Sequence, residues 1–201
     1  MNYSNILEKE LEHIQNEKNI PTLLLHSCCA PCSSYIISYL INYFNITILY
    51  YNPNISPKEE YLKRKEEQIR LINEIKHKNK LTIMDCDYDN DVFEKMAKGL
   101  EKEKEGGCRC HKCYYMRLDK TAKNAKEDNF DYFCTTLSVS PHKNSKIINE
   151  IGEILANKYE IKWLYSDFKK KEGYKKSIEL SKKYNLYRQN YCGCIYSKIN
   201  K

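Results

Sequence analysis

The sequence predicts an α/β fold built on a mostly parallel, five-stranded sheet. Three observations carry that expectation. Five short apolar runs recur along the chain, stretches with helical spacing separate them, and 201 residues suffice to bury a core without disulfide staples. Strands that alternate with helices need crossover connections, which run right-handed and leave the strands parallel. The length favours a single α/β domain over residues 1–201.

The opening stretch, MNYSNILEKELEHIQNEKN, is charged and amphipathic, so residues 1–20 are expected to hold a helix. It lacks the apolar segment of a signal peptide, and a cytoplasmic location is expected. The five strands are expected at Thr22–His26 (TLLLH), Ile46–Tyr50 (ITILY), Leu81–Asp85 (LTIMD), Tyr132–Thr136 (YFCTT) and Ile161–Tyr165 (IKWLY). Between the first two, Ser33–Phe44 carries Ile36, Ile37, Leu40, Ile41 and Phe44 at helical spacing. Pro57–Lys78 sets Tyr61, Leu62, Ile69, Ile72 and Ile75 on one side of a charged helix, and His111–Glu127 and Lys143–Lys158 repeat the pattern. EKEKEGG at Glu101–Gly107 reads as a surface turn.

The net charge is +7 and 30% of residues are charged, but the apolar residues fall in periodic blocks, which favours a folded chain over a disordered one. Mean hydropathy is −0.74, and no stretch approaches the roughly 20 apolar residues of a membrane span. The basic excess fits a polyanionic partner, although a generally lysine-rich composition would also produce it.

The ten cysteines gather as Cys28/Cys29/Cys32, Cys108/Cys110/Cys113 and Cys192/Cys194, with Cys86 and Cys134 apart. In a reducing compartment such clusters point to metal or redox chemistry rather than to a disulfide framework. Cys28 and Cys29 follow the first strand, and Pro31 suits a helix start. This is where a nucleotide-binding α/β protein carries its glycine-rich loop, but neither GxGxxG nor GxxxxGK[ST] is present. Cys110 and Cys113 form a C-x-x-C at a helix start, where the helix dipole favours thiolates. Together with Cys28 and Cys29 they offer four sulfur ligands, suited to a structural zinc or an iron–sulfur cluster. Adjacent cysteines lean toward the cluster, because Cα atoms about 3.8 Å apart crowd a single small ion. Cys32 could replace Cys28 or Cys29 as a ligand, and Cys108 is ambiguous in the same way. Cys192-Gly193-Cys194 could close a strained, readily reduced disulfide ring or supply further ligands. Cys86 and Cys134 are expected to pack as small hydrophobes.

Taken together, SCCAPCS, YNPNISPKEEY, CHKCYYMRL, TTLSVSPHKN, DFK and YRQNYCGCIYS resemble, in order and spacing, the cobalamin-independent epoxyqueuosine reductase family. The match runs from about Leu23 to Ser197. The resemblance implies a Rossmann-like, adenine nucleotide alpha hydrolase-like three-layer sandwich. It implies an oxidoreductase that converts epoxyqueuosine to queuosine at the wobble position of a tRNA anticodon. It also implies a 4Fe–4S cluster on Cys28, Cys29, Cys110 and Cys113, and a redox-active disulfide at Cys192 and Cys194, within a C-terminal segment 186–201. An additional iron beside the cluster is left open. The sequence departs from the family pattern at Ser138 and at His142-Lys143.

Removing an epoxide oxygen as water takes two electrons and two protons. Tyr191, His26 and the acids between Asp85 and Asp91 are candidate proton donors, each with a purely structural alternative. Lys169, Lys170, Lys171, Lys175, Lys176, Lys182, Lys183 and Arg188, with Tyr174, Tyr184 and Tyr187 among them, are expected to meet the anticodon loop: lysines hold phosphates and tyrosines stack on splayed bases. A monomer, an unidentified electron donor and no membrane are the remaining expectations on partners. Two rival readings are a zinc-stabilised RNA-binding module and an ATP-pyrophosphatase-type tRNA-modifying enzyme. The second would need a phosphate-gripping loop where HSCCAPCS stands.

Overall fold

A computed structural model describes residues 1–199. Its centre is one five-stranded sheet of β1 (Thr22–His26), β2 (Asn45–Leu49), β3 (Leu81–Met84), β4 (Tyr132–Thr135) and β5 (Lys162–Trp163). The strand order is β3-β2-β1-β4-β5 and every pairing is parallel. Leu23, Leu24 and Leu25 of β1, the central strand, are fully buried. A strand covered on both faces reads as a continuous apolar run, which is how TLLLH reads.

The helices are α1 (Tyr3–Gln15), α2 (Ala30–Leu40), α3 (Lys58–Glu74), α4 (Asn90–Ala97), α5 (Cys108–Glu127), α6 (Ser145–Tyr159), α7 (Gly173–Lys183) and α8 (Ile195–Ile199). They flank the sheet, α2 packing with α3 and α7, and α5 with α4 and α6, as in a Rossmann-like three-layer sandwich. The N-terminal helix occupies 13 of the first 20 residues.

Several boundaries differ from the sequence expectation for identifiable reasons. Helix α2 begins at Ala30 rather than Ser33, because Cys29 is its N-cap and Pro31 sits in its first turn; Cys32 is therefore helical. Helix α5 begins at Cys108 rather than His111, with Gly107 as N-cap, so Cys110 and Cys113 both lie in its first two turns. The fourth strand stops at Thr135, and Thr136–Val139 turns into a 3-10 helix. Helix α4 was not expected from the acidic DCDYDND stretch; Phe93 and Ala97, one turn apart, bury its inner face.

Parallel strands point their carboxyl ends at one edge, where ligands of such folds bind. The β1 register sets His26 beside Leu49 of β2 and beside Thr135 of β4. The loops after β1, β2 and β4 therefore start side by side.

Gly173 opens α7 where a Cβ would lie 1.8 Å from the Phe168 carbonyl oxygen and 2.7 Å from the Tyr35 ring of α2. Gly173→Ala is expected to destabilise the fold by about 1–3 kcal/mol, as overpacking does; urea unfolding of both proteins measures it.

Candidate active site

The loop Ser27–Cys29 leaves β1 and enters α2, and it brings three sulfurs together. The Sγ atoms of Cys28, Cys29 and Cys32 all lie within 4.8 Å of one another, with Cys28 and Cys29 3.9 Å apart. Thiols from Cys29 and Cys32 donate to Cys28 and hold its thiol well below the usual range; Cys29, as donor, is pushed up to about 12. The loop is pinned from below. Asn52 Nδ2 donates to the Ser27 carbonyl (2.8 Å), and Ser27 Oγ donates to Gln68 Oε1 (2.6 Å). Thr136 Oγ1 accepts the Cys28 amide (3.1 Å) and donates to its Sγ (3.4 Å).

Two cations face these sulfurs. Arg117, one turn after Cys113 on α5, is 1% exposed. Its Nε donates to His26 Nε2 (3.2 Å) and its Nη2 to Asn52 Oδ1. Because a guanidinium can only donate, His26 Nε2 accepts and the ring proton sits on Nδ1, which donates to Thr135 Oγ1 (2.8 Å). Burial and the neighbouring guanidinium push His26 down to about 3, so the ring is neutral. Burial opposes the charge on Arg117, but the sulfurs of Cys113, Cys28 and Cys192 outweigh it. Lys143, half-buried in the loop after β4, is held charged against the same burial by Cys192 and Cys28. Among the described residues neither cation is ion-paired to a carboxylate.

A cleft of about 280 Å³ opens over this group. Cys28, Cys29, Cys32, Arg117, Lys143 and Cys192 line it, along with Tyr174, Arg188 and Tyr191, and Glu105 is its one acid. Cys110 and Cys113 stand outside the tight three-sulfur group. Gly106 donates its amide to Cys110 Sγ (3.2 Å). Burial pushes Cys113 up to about 12, against an opposing hydrogen bond from Arg117. The Arg117 guanidinium thus reaches from one cysteine set toward the other.

The C-terminal segment is clamped by α3 and the loop before it. Arg64 Nη1 donates to the Cys192 carbonyl (3.2 Å), Ser56 N–H to the Gly193 carbonyl (2.9 Å), and Tyr191 OH to the Ser56 carbonyl (3.1 Å). The expected Cys192–Cys194 disulfide is not formed: both are free thiols. Cys192 lines the cleft, whereas Cys194 packs with Phe93, Ala97 and Cys113.

Other expected residues sort plainly. His26 is hydrogen-bonded through both ring nitrogens, to Thr135 and Arg117, and ties the end of β1 to β4 and α5. Asp85 pairs with Lys65, and Asp89 accepts from Tyr51 OH (3.2 Å); none of the Asp85–Asp91 acids lines the cleft. Tyr191 lines it with its hydroxyl already engaged. Cys134 is fully buried, Cys86 is partly buried and donates to the Tyr50 carbonyl (3.1 Å), and Cys108 is exposed. Ser138 turns inward and accepts the Phe168 amide (3.3 Å). Of the basic and aromatic residues near α7, Tyr174 and Arg188 reach the cleft. Lys171 pairs with Glu8, Lys175 with Glu172 and Lys169 with Asp167. Lys63 covers the Tyr187 ring (3.7 Å). Arg117 and Lys143 were missed. The available signal was an arginine between Tyr114, Leu118 and Thr121 on the buried stripe of α5.

The sequence pattern of the family described as "Epoxyqueuosine reductase QueH" matches residues 23–200. "Epoxyqueuosine reductase QueH" of Staphylococcus epidermidis is 43% identical over 203 residues, 99% of this chain and 85% of that protein. The protein of that name from Streptococcus pyogenes serotype M1 is 42% identical over 98% of this chain and 78% of its own length. The one from Thermotoga maritima is 33% identical over 90% of this chain and 92% of its own. The matched span takes in the Cys28–Cys32 loop, the Cys110–Cys113 helix start and the Cys192–Cys194 segment, and the chain belongs to the epoxyqueuosine reductase QueH family.

Proposed function

We propose that this chain reduces epoxyqueuosine to queuosine at the wobble position of a tRNA anticodon, using an iron–sulfur centre held by cysteines at the carboxyl edge of its sheet. The observation that carries the metal reading is electrostatic. Arg117 and Lys143 face Cys28 and Cys192 and are ion-paired to no carboxylate among the described residues, and buried charge persists only where opposite charge compensates it. Thiolates around iron supply that negative charge.

Cys28, Cys29, Cys110 and Cys113 are the proposed ligands, with Cys32 close enough to Cys28 to exchange for one of them. The Cys28 and Cys29 sulfurs stand 3.9 Å apart, the spacing of two ligands on one ion with bonds of about 2.3 Å, so a cluster, whose ligand sulfurs lie wider apart, would need these two to separate and the α5 pair to join them. When bound, a 4Fe–4S cluster supplies single electrons at low potential, tuned by hydrogen bonds to its sulfurs. Thr136 and Gly106 are placed to make such bonds to Cys28 and Cys110.

Cys192 and Cys194 are the proposed two-electron donor. Oxidising this dithiol to a disulfide releases two electrons and two protons; the epoxide takes up both, losing its oxygen as water and leaving the alkene. Cys192 lines the cleft where substrate enters, and Lys143 there favours charge developing on the departing oxygen. A wobble nucleoside in an unpaired loop enters such a cleft at low unstacking cost. Tyr174 and Tyr191 offer it stacking faces and Arg188 a phosphate contact. The donor that restores the dithiol is an external reductant.

The direct assay is anaerobic incubation with epoxyqueuosine-containing tRNA and a strong reductant, followed by nucleoside mass spectrometry; queuosine is the expected product, and unchanged epoxyqueuosine with iron-loaded protein contradicts the reading. Cys28→Ala and Cys110→Ala should each lose bound iron, sulfide and brown colour together with product. Cys192→Ser should keep iron and colour while turnover drops; loss of its iron would make Cys192 a ligand instead. Gly193 has φ +111°, and a Cβ there would lie 2.8 Å from Ile55 and 3.0 Å from Arg64. Gly193→Ala should therefore shift the Cys192 backbone and slow turnover at least about tenfold, as small misplacements of reacting groups do, with iron content unchanged by elemental analysis.

A further inference from the structure

Arg117 is a cation with 1% exposure, and its guanidinium donates to two neutral acceptors, His26 Nε2 at 3.2 Å and Asn52 Oδ1. Its one turn of separation from Cys113 places it on the helix that carries the second cysteine pair, while its acceptors stand at the ends of β1 and β2. Asn52 in turn donates to the Ser27 carbonyl, the residue before Cys28 (2.8 Å). The same guanidinium lines the cleft with Cys28, Cys29, Cys32 and Cys192. One side chain thus spans the gap between two remote sulfur-bearing segments, and it brings a positive charge that is ion-paired to no carboxylate among the described residues.

We propose that Arg117 is a positioning residue: its guanidinium is the resident counter-charge of an anionic metal–sulfur centre and fixes the register of α5 against the Cys28 loop. The inference rests on the metal reading above and adds an energetic consequence. In the chain without metal, the buried guanidinium hydrogen-bonds to the neutral acceptors His26 Nε2 and Asn52 Oδ1 and is paired to no carboxylate among the described residues, and such an internal charge costs more than the apolar side chain that could replace it. Metal bound as an anionic thiolate complex turns the same charge into an attraction. Arg117 therefore stabilises the loaded protein and not the empty one, whereas a residue that only packs and hydrogen-bonds stabilises both alike.

Arg117→Met separates these cases. Met fills much of the volume without charge, and His26 can compensate by moving its proton to Nε2, 3.1 Å from the Tyr51 carbonyl, while Nδ1 accepts from Thr135. Arg117→Lys keeps the charge and loses the fork. Each protein, as the full chain, is prepared both chelator-treated and anaerobically reconstituted with ferrous iron and sulfide, and each form is melted. Iron retention is measured in competition with a chelator. The expected result is an Arg117→Met protein whose metal-free Tm is no lower than wild type, whose Tm gain on loading is smaller, and whose iron is held about 10- to 100-fold more weakly, the range typical of a lost outer partner of a metal site. Arg117→Lys should fall between the two. An Arg117→Met protein that loses the same Tm with and without iron, or fails to fold without it, makes Arg117 a structural residue and overturns the proposal. Equal iron retention in wild type and Arg117→Met overturns it while leaving the metal reading intact. A wild-type chain that takes up no iron and sulfide defeats the metal reading, and the proposal with it.

Discussion

The parallel pairing of β1 between β2 and β4 is the constraint from which the site follows. With His26 level with Leu49 on one side and Thr135 on the other, the three loops that leave these strands have no choice but to converge. Thr135 and Thr136 end β4 where their hydroxyls meet His26 and Cys28, and Asn52 beyond β2 reaches Ser27. Side chains on the neighbouring strand ends thus hold the Cys28 loop in place. A slip of one residue in the β1–β4 register would exchange the faces on which these groups stand.

Charge does the remaining selection. A site that gathers thiols from two chain segments would ordinarily be a reactive liability, but here the sulfurs of Cys28, Cys29, Cys32 and Cys192 share a cleft with Arg117 and Lys143, and among the described residues Glu105 is the one acid on its walls. The neutral state of His26 belongs to the same design. A protonated ring would place a second positive charge against the Arg117 guanidinium, so burial and that neighbour keep it neutral and make it an acceptor. Sequence alone would suggest an acid–base role for a histidine at a strand end. The hydrogen-bond geometry gives it a scaffolding role.

Much of this was legible beforehand because it follows from periodicity and spacing. TLLLH reads as a strand buried on both faces, and Pro31 marks a helix start. SCCAPCS and CHKCYYMRL identify the sulfur-bearing segments whatever their relative placement. What stayed hidden depends on distance in space. That Cys32 completes the tight group rather than Cys110 or Cys113 follows from α2 starting three residues earlier than its apolar pattern implies. Arg117 on a lysine- and arginine-rich helix reads as one more solvated cation unless its place between Tyr114, Leu118 and Thr121 on the apolar stripe is weighed. The packing of Cys194 against Phe93 and Ala97 depends on α4, a helix whose acidic start masked it. The basic face near α7 was found, but several of its lysines are committed to nearby carboxylates, leaving Tyr174 and Arg188 as its members at the cleft.

The central claim is that sulfurs from two distant segments hold one inorganic centre. Anomalous diffraction at the iron edge from anaerobically grown crystals tests it most directly. The account predicts iron within bonding distance of the Cys28 sulfur and, as part of the same cluster, of Cys110 or Cys113. Iron bound by Cys28, Cys29 and Cys32 alone, or metal confined to the α5 pair, would contradict it.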